Sequence, residues 1–260
     1  MKPGDDNNVN STMSAGDIRE LISSAFGGAA HPLAPWYVGL LEDAPPLQAF
    51  TAANATKIRK KARHANTPET QRDLRCELAV AAALADRRSP LAYEPLATKG
   101  RRGPDFLLRH KGHTDVYVEV TRLRLAHAQA REPAGRLAAL LCGKLAQLVA
   151  GTANLLVLVS DDELFSGEHV DATIQELRGR ADANDDAYFA FRGLAGARAL
   201  RQMLPCLSGM LIVVPAVLTE ALSLHQQARH PLPTELVRAV PTWSLAAKIG
   251  LLPAGQTREV

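Results

Sequence analysis

The order of helix-like and strand-like stretches after Thr67 constrains the fold of this chain more than any other feature. Thr67 is a good N-cap, Pro68 suits a first helical turn, and Glu69 favours the positive end of the helix dipole. A helix is therefore predicted from Thr67 to about Arg87. Strand-like runs follow at 91–97, 104–110 and 114–123, then a helix at 133–150 and a buried strand at 154–160. This order predicts an α/β domain.

The rest of the chain divides around that segment. A further helix is predicted around 169–180 and a further strand at 210–215. Residues 1–16 are polar and rich in Gly and Asn, so they are predicted to be a disordered tail. Residues 17–66 are predicted to form a helical N-terminal region, and residues 67–260 the α/β domain.

Composition excludes several classes of protein. The chain has 260 residues, of which 47% are hydrophobic and 22% charged, with a mean hydropathy of -0.08. These values exclude disordered, collagen-like and coiled-coil proteins. No uninterrupted apolar stretch of about 18 residues occurs, so no membrane partner is expected. The N-terminus lacks the apolar core of a signal peptide, and the three cysteines form no CxxC pair. A reducing, cytoplasmic setting is expected.

Glu77 is the first of three charged residues that fall at apolar positions. On a helical projection it lies between Ala81 and Leu84, inside the apolar arc that also contains Leu74 and Leu78. A carboxylate buried alone costs several kcal/mol, so Glu77 must be neutralised, paired or bound to a cation. The alternative is a glutamate at the edge of the core that pairs with a nearby arginine.

Asp105 and Glu119 are the second feature. Glu119 alternates with Val118 and Val120 in a central-looking strand, and Asp105 opens the preceding strand. Neighbouring antiparallel strands would bring the two carboxylates together, and a divalent cation is a common way to keep both ionised. The alternative for Asp105 is an ordinary turn residue after Gly103-Pro104.

Lys144 is the third feature. On the helix predicted from 133 to 150 it falls among Leu137, Leu141, Leu145 and Leu148. An inward lysine there joins the same polar site as the acids. The alternative is a lysine whose stem lies along the apolar face while its ammonium reaches water.

Together these residues resemble the motif of the PD-(D/E)xK nuclease superfamily, whose core is restriction-endonuclease-like. The matching features are the inward Glu77, the sequence Gly103-Pro104-Asp105-Phe106 and Glu119 in an apolar strand. The order helix-strand-strand-strand-helix-strand from Thr67 to Ser160 also matches that family. The resemblance covers about 95 of the 260 residues, with extra helices at the N-terminus.

One position departs from the family pattern. The family's lysine lies two residues after the second acid, where this chain has Thr121. Some members supply the lysine from the following helix, and Lys144 is the candidate here. Arg122 ranks behind it, because alternation points Arg122 to the opposite face of the strand.

The resemblance implies a metal-dependent nuclease that acts on DNA, with RNA left open. It assigns catalysis to four residues: Glu77, Asp105, Glu119 and Lys144. Oxygen ligands from Asp105, Glu119 and the Val120 carbonyl suit Mg²⁺ or Mn²⁺. Thr121 and Gln147 are expected to line the pocket.

Basic clusters supply the expected nucleic-acid contacts. The net charge of +3 is too weak an argument alone. Clusters occur at 57–63, at 99–102 and at Arg122 with Arg124, and each is also compatible with an ordinary solvated face. Nucleic-acid binding is predicted for Lys99, Arg101, Arg102 and Arg122. A homodimer is left open.

Two alternatives to a nuclease remain at this point. The first is a catalytically inactive version of the same fold that binds nucleic acid or a protein partner, which Thr121 favours. The second, weaker one is a small-molecule hydrolase or an unrelated α/β interaction domain, which scattered positions of the three carboxylates would favour.

Overall fold

A computed structural model of the chain describes residues 13–42, 44–85, 89–96, 103–111, 114–124 and 133–250. They belong to two compact units, Met1–Arg75 with Leu251–Val260, and Cys76–Gly250. The border between the units therefore lies inside a helix, and not at its start near Thr67. None of the described helices is long and apolar enough to cross a membrane.

The first unit is helical, as predicted. It contains α1 (Ala15–Phe26), α2 (Ala34–Leu41), α3 (Pro45–His64) and the beginning of α4 (Pro68–Leu84). Helices α1 and α3 pack through apolar faces that include Ile18, Ile22, Leu47, Phe50 and Ile58. Each helix thus buries one face that the 3.6-residue period predicts.

The start of α1 corrects the predicted tail. Ser14 Oγ accepts a hydrogen bond from the Asp17 N–H at 3.2 Å, and the Asp17 carboxylate accepts one from the Ser14 N–H at 3.0 Å. This capping box starts the helix at Ala15. Of the predicted tail, residues 1–12 lie outside the described residues.

The second unit contains an open mixed sheet of six strands in sequence order. Neighbouring strands are antiparallel from β1 to β3, parallel from β3 to β5, and antiparallel between β5 and β6. The strands are β1 (Leu91–Tyr93), β2 (Phe106–His110), β3 (Thr114–Leu123), β4 (Ala153–Ser160), β5 (Gly209–Val214) and β6 (Thr219–Leu224). All residues of β4 and β5 are buried, as expected of strands inside a sheet that is covered on both faces. The predicted α/β class is confirmed at this level.

Among the residues that the structure describes after β3, six α-helices belong to the second unit. They are α5 (Pro133–Leu145), α6 (Gly167–Asp182), α7 (Asp186–Ala190), α8 (Ala197–Met203), α9 (Thr234–Ala239) and α10 (Leu245–Gly250). Apolar residues of α5, α6 and α8 pack with Leu123, Leu156, Leu158, Met210 and Ile212 of the sheet. Helix α5 therefore covers the face to which Glu119 points, because Glu119 is paired in register with Leu156.

Candidate active site

Glu119 lies in the middle of β3, on the face that α5 covers. Only 5% of the residue is exposed. The Lys144 ammonium donates a hydrogen bond to its Oε1 and forms an ion pair with it. Lys144 is in the last turn of α5, and its side chain is 23% exposed. The predicted inward direction of Lys144 is confirmed, and the reason is the helical phase that it shares with the buried Leu137, Leu141 and Leu145.

Asp105 lies next to this pair. It precedes β2, where Phe106 is paired with Val118, so the next position along β3 is that of Glu119. The Asp105 Oδ2 accepts a hydrogen bond from the Val120 N–H at 2.8 Å. Its backbone is also held, since the Asp105 carbonyl accepts a hydrogen bond from the Glu94 N–H at 2.7 Å. The expected proximity of the two strand acids is confirmed.

Gly103 lets the chain approach this position closely. A Cβ atom added at Gly103 would lie 2.9 Å from the Cβ of Leu96, which is closer than real Cβ atoms come. A side chain at 103 would therefore push the segment that leads into Asp105 away from the turn that follows β1.

Glu77 interacts with a different partner. It is buried, as predicted, and accepts a hydrogen bond from the phenol of Tyr93. The Tyr93 ring stacks on Phe106 with centroids 5.3 Å apart, and Phe106 lies on the sheet face opposite Glu119. Burial, together with the carboxylates of Glu77, Glu94 and Asp105, raises the pKa of Tyr93 well above its usual value, so the phenol stays protonated.

Asp105 therefore connects two polar groups. It is near the phenol of Tyr93, which holds Glu77, and it bonds the backbone beside Glu119. Tyr93 is the member that sequence reasoning missed. Its only sequence signal is an aromatic residue in a short strand between Glu77 and Asp105, which is more often a core residue.

The oxygen atoms of Asp105, Glu119 and the Val120 carbonyl suit a divalent cation by their chemical type. Among the described residues, no group of three or more His, Cys, Asp and Glu side chains has the geometry of a metal site. The N–H and C=O of one strand residue point to the same neighbouring strand, so the Val120 carbonyl is directed to the side of Asp105. Two carboxylates and one carbonyl suit Mg²⁺, which keeps several water ligands and often shares phosphate oxygens with its substrate.

Two predicted pocket residues are placed less favourably. Thr121 is half-buried on the same strand face as Glu119. Helix α5 ends at Leu145, so the helical phase predicted for Gln147 does not apply. The Gln147 N–H instead donates to the Lys144 carbonyl at 2.9 Å, in the turn that closes the helix.

The predicted nucleic-acid contacts gain no support from the structure. Lys99, Arg101 and Arg102 lie outside the described residues. The side chain of Arg122 is 3% exposed and pairs with Asp161 at 2.8 Å. A phosphate would have to displace that carboxylate from a buried guanidinium, which argues against the predicted contact.

Comparisons with protein-family models, with curated proteins and with solved structures each give no match. The function of this protein is therefore inferred from its residues and from the geometry described above.

Proposed function

We propose that this protein is a metal-dependent nuclease that hydrolyses phosphodiester bonds of DNA, built on a restriction-endonuclease-like core. The observation that carries the proposal is the position of Lys144. Its ammonium contacts Glu119, while Asp105 bonds the backbone one residue further along β3. Two acids on adjacent strands and one lysine from the next helix form the set that the PD-(D/E)xK resemblance implies.

The architecture supports the same proposal. From Thr67 to Ser160 the described elements are α4, three antiparallel strands, α5 and a strand parallel to β3. Helix α5 lies over the face that carries Glu119, so the crossover from β3 to β4 delivers a lysine to the centre of the sheet.

The proposed chemistry divides between a cation and the side chains of the chain. Mg²⁺ held by Asp105, Glu119 and the Val120 carbonyl would polarise the phosphodiester and lower the pKa of a water. Lys144 balances the charge of Glu119 in the protein alone and offsets charge on phosphoryl oxygens in the substrate complex. Tyr93 orients Glu77 by donating its phenolic proton, because its raised pKa keeps that proton in place at neutral pH.

A second function is favoured by one observation. The family's strand lysine is replaced by Thr121, and Lys144 is already paired with Glu119. An inactive domain that binds nucleic acid or a protein partner would keep this pair only to neutralise a buried carboxylate.

A cleavage assay tests the proposal directly. Duplex DNA, single-stranded DNA and RNA are incubated with the protein and Mg²⁺, Mn²⁺ or a chelator. Asp105→Asn and Glu119→Gln are each expected to lower the rate by about 10²-fold or more. The control is Asp115→Asn, on the same strand, where an exposed carboxylate pairs with Arg109 at 3.1 Å. It should leave the rate unchanged.

The outcomes separate the two functions. Cleavage that needs the metal and both site acids, but not Asp115, supports the nuclease. Absence of cleavage by the folded wild type on all three substrates contradicts it. Calorimetry with Mn²⁺ gives a readout independent of activity, because binding that Asp105→Ala or Glu119→Ala abolishes assigns the cation to these two acids.

A further inference from the structure

A cavity of about 220 Å³ lies between helix α6 and the end of strand β6. It is remote in sequence from the acids of the candidate active site, and its polar lining includes Asp171, Gln175, Arg178, Ser223, His225 and Gln227. We call it the α6–β6 cavity. Most of these side chains carry hydrogen-bond donors, and one carries a full positive charge.

Arg178 is held in a fixed orientation at this cavity. Its Nη2 donates to the His225 Nε2 at 2.9 Å, and it lies 3.4 Å from the Gln227 Oε1. Within the part of the chain that the structure describes, no carboxylate forms an ion pair with Arg178, although Asp171 also lines the cavity. A guanidinium that is held in place and has no anionic partner is well suited to bind the oxygens of a phosphate or carboxylate.

His225 acts as the hydrogen-bond acceptor that orients Arg178. Since Nε2 accepts from Arg178, the proton of the neutral ring is on Nδ1. That Nδ1 is buried and has no hydrogen-bond partner among the described residues. Burial, and secondly the charge of Arg178, lower the pKa of His225, so the ring is neutral at pH 7.

We propose that the α6–β6 cavity binds the phosphate group of a small phosphorylated molecule. Arg178 donates to its oxygens from the orientation that His225 and Gln227 fix, and Gln175 and Ser223 offer further polar contacts at the wall. At about 30 Å³ for each water, the cavity has room for roughly seven waters. This volume is larger than that of a phosphate ion, so a phosphorylated small molecule fits better than phosphate alone. This site goes beyond the proposed nuclease activity and does not depend on it.

Titration with inorganic phosphate at constant ionic strength tests this proposal. Binding is followed by calorimetry and by the NMR signals of the Arg178 Nε–H and the His225 ring. Arg178→Met is expected to weaken binding by at least about tenfold. The matched control is Arg180→Met on the same helix, whose guanidinium pairs with Asp185 at 3.1 Å, and its affinity should equal that of the wild type.

A second variant keeps the test decisive if Arg178→Met does not fold. His225→Phe removes the Nε2 acceptor that orients Arg178 and leaves the arginine charge, so it should also weaken phosphate binding. Equal weakening by Arg178→Met and Arg180→Met would mean a general charge effect and would overturn the proposal. Acetate that binds more tightly than phosphate would overturn the phosphate assignment. The absence of saturable binding to the wild type would overturn the site itself.

Discussion

Strand β3 carries one buried charge on each face, and the two charges are balanced in different ways. Glu119 pairs with Lys144, which comes from a helix that crosses the sheet. Arg122 pairs with Asp161, which directly follows the adjacent strand β4 and is 44% exposed. Both strand residues are buried, so burial of a charge alone does not distinguish a functional site.

The difference between the two pairs lies in what adjoins them. Beside Glu119 is a second carboxylate, Asp105, which is fixed to the backbone of the same strand. The partner of Arg122 is instead a single, half-exposed carboxylate at the end of the neighbouring strand. We therefore interpret the first pair as part of a chemical site and the second as structural, and four measurements test that contrast.

The largest expected effect concerns the lysine of the first pair. Lys144→Met should lower the rate of metal-dependent DNA cleavage by about 10²-fold or more, because it removes a preorganised cation from the site. The measurement is the single-turnover rate at saturating Mg²⁺. Lys111→Met is the control, since that exposed lysine pairs with Glu235 at 2.6 Å and its removal should not change the rate.

A near-normal rate for Lys144→Met would show that the Glu119–Lys144 pair, like the Arg122–Asp161 pair, has only a structural role. Removal of Lys144 also leaves Glu119 buried without its cation, so the melting temperature of each variant must be recorded. Glu119→Gln combined with Lys144→Met restores neutrality, so recovery of the melting temperature in the double variant shows that the unpaired carboxylate caused the lost stability.

Part of the difference between the two ion pairs could be predicted from the sequence, and part could not. The bounds of β3 and the inward phases of Glu77 and Lys144 were predictable, because each depends on a local period. The partner of Arg122 was not, since Asp161 is a loop residue brought near by strand pairing. Strand β6 was also missed. It is an edge strand with half-exposed residues, and its pattern TEALSL has little apolar content.

The second largest effect concerns the structural pair. Asp161→Ala should lower the free energy of unfolding by about 2 kcal/mol, because the buried guanidinium of Arg122 loses its carboxylate. Urea denaturation measures this. Asp115→Ala is the matched control, since Asp115 pairs with the exposed Arg109 at 3.1 Å, and the expected loss there is below about 1 kcal/mol. Equal losses would show that burial of Arg122 adds nothing.

A third measurement sharpens the assignment of Lys144. Adding Thr121→Lys to Lys144→Met should recover about tenfold in rate, because Thr121 lies on the same face of β3 as Glu119. The same lysine introduced at Val159, which is paired with Arg122 on the other face, should recover nothing. Equal recovery by both lysines would indicate a nonspecific effect of charge.

The smallest expected effect is at the exposed N-cap of α1, which serves as a comparison for the two buried ion pairs. Ser14→Ala removes the capping oxygen of α1 and should lower the free energy of unfolding by about 1 kcal/mol.

Deletion of residues 1–12 should shift the melting temperature by no more than about two degrees, as their composition cannot bury a core. A larger shift from the deletion than from Ser14→Ala would mean that this segment docks on the protein.

The hydrogen bond from Val120 to Asp105 makes one backbone amide a reporter of the site. Strand β2 is paired with β3 only as far as Phe106 and Val118, so the Val120 N–H is held by a side chain where a strand partner would otherwise be. The rate at which this amide exchanges with deuterium therefore reports how often its hydrogen bond to Asp105 is broken, and not only how often the sheet opens. Any ligand that draws Asp105 away will accelerate exchange at this single amide while its neighbours in β3 remain protected.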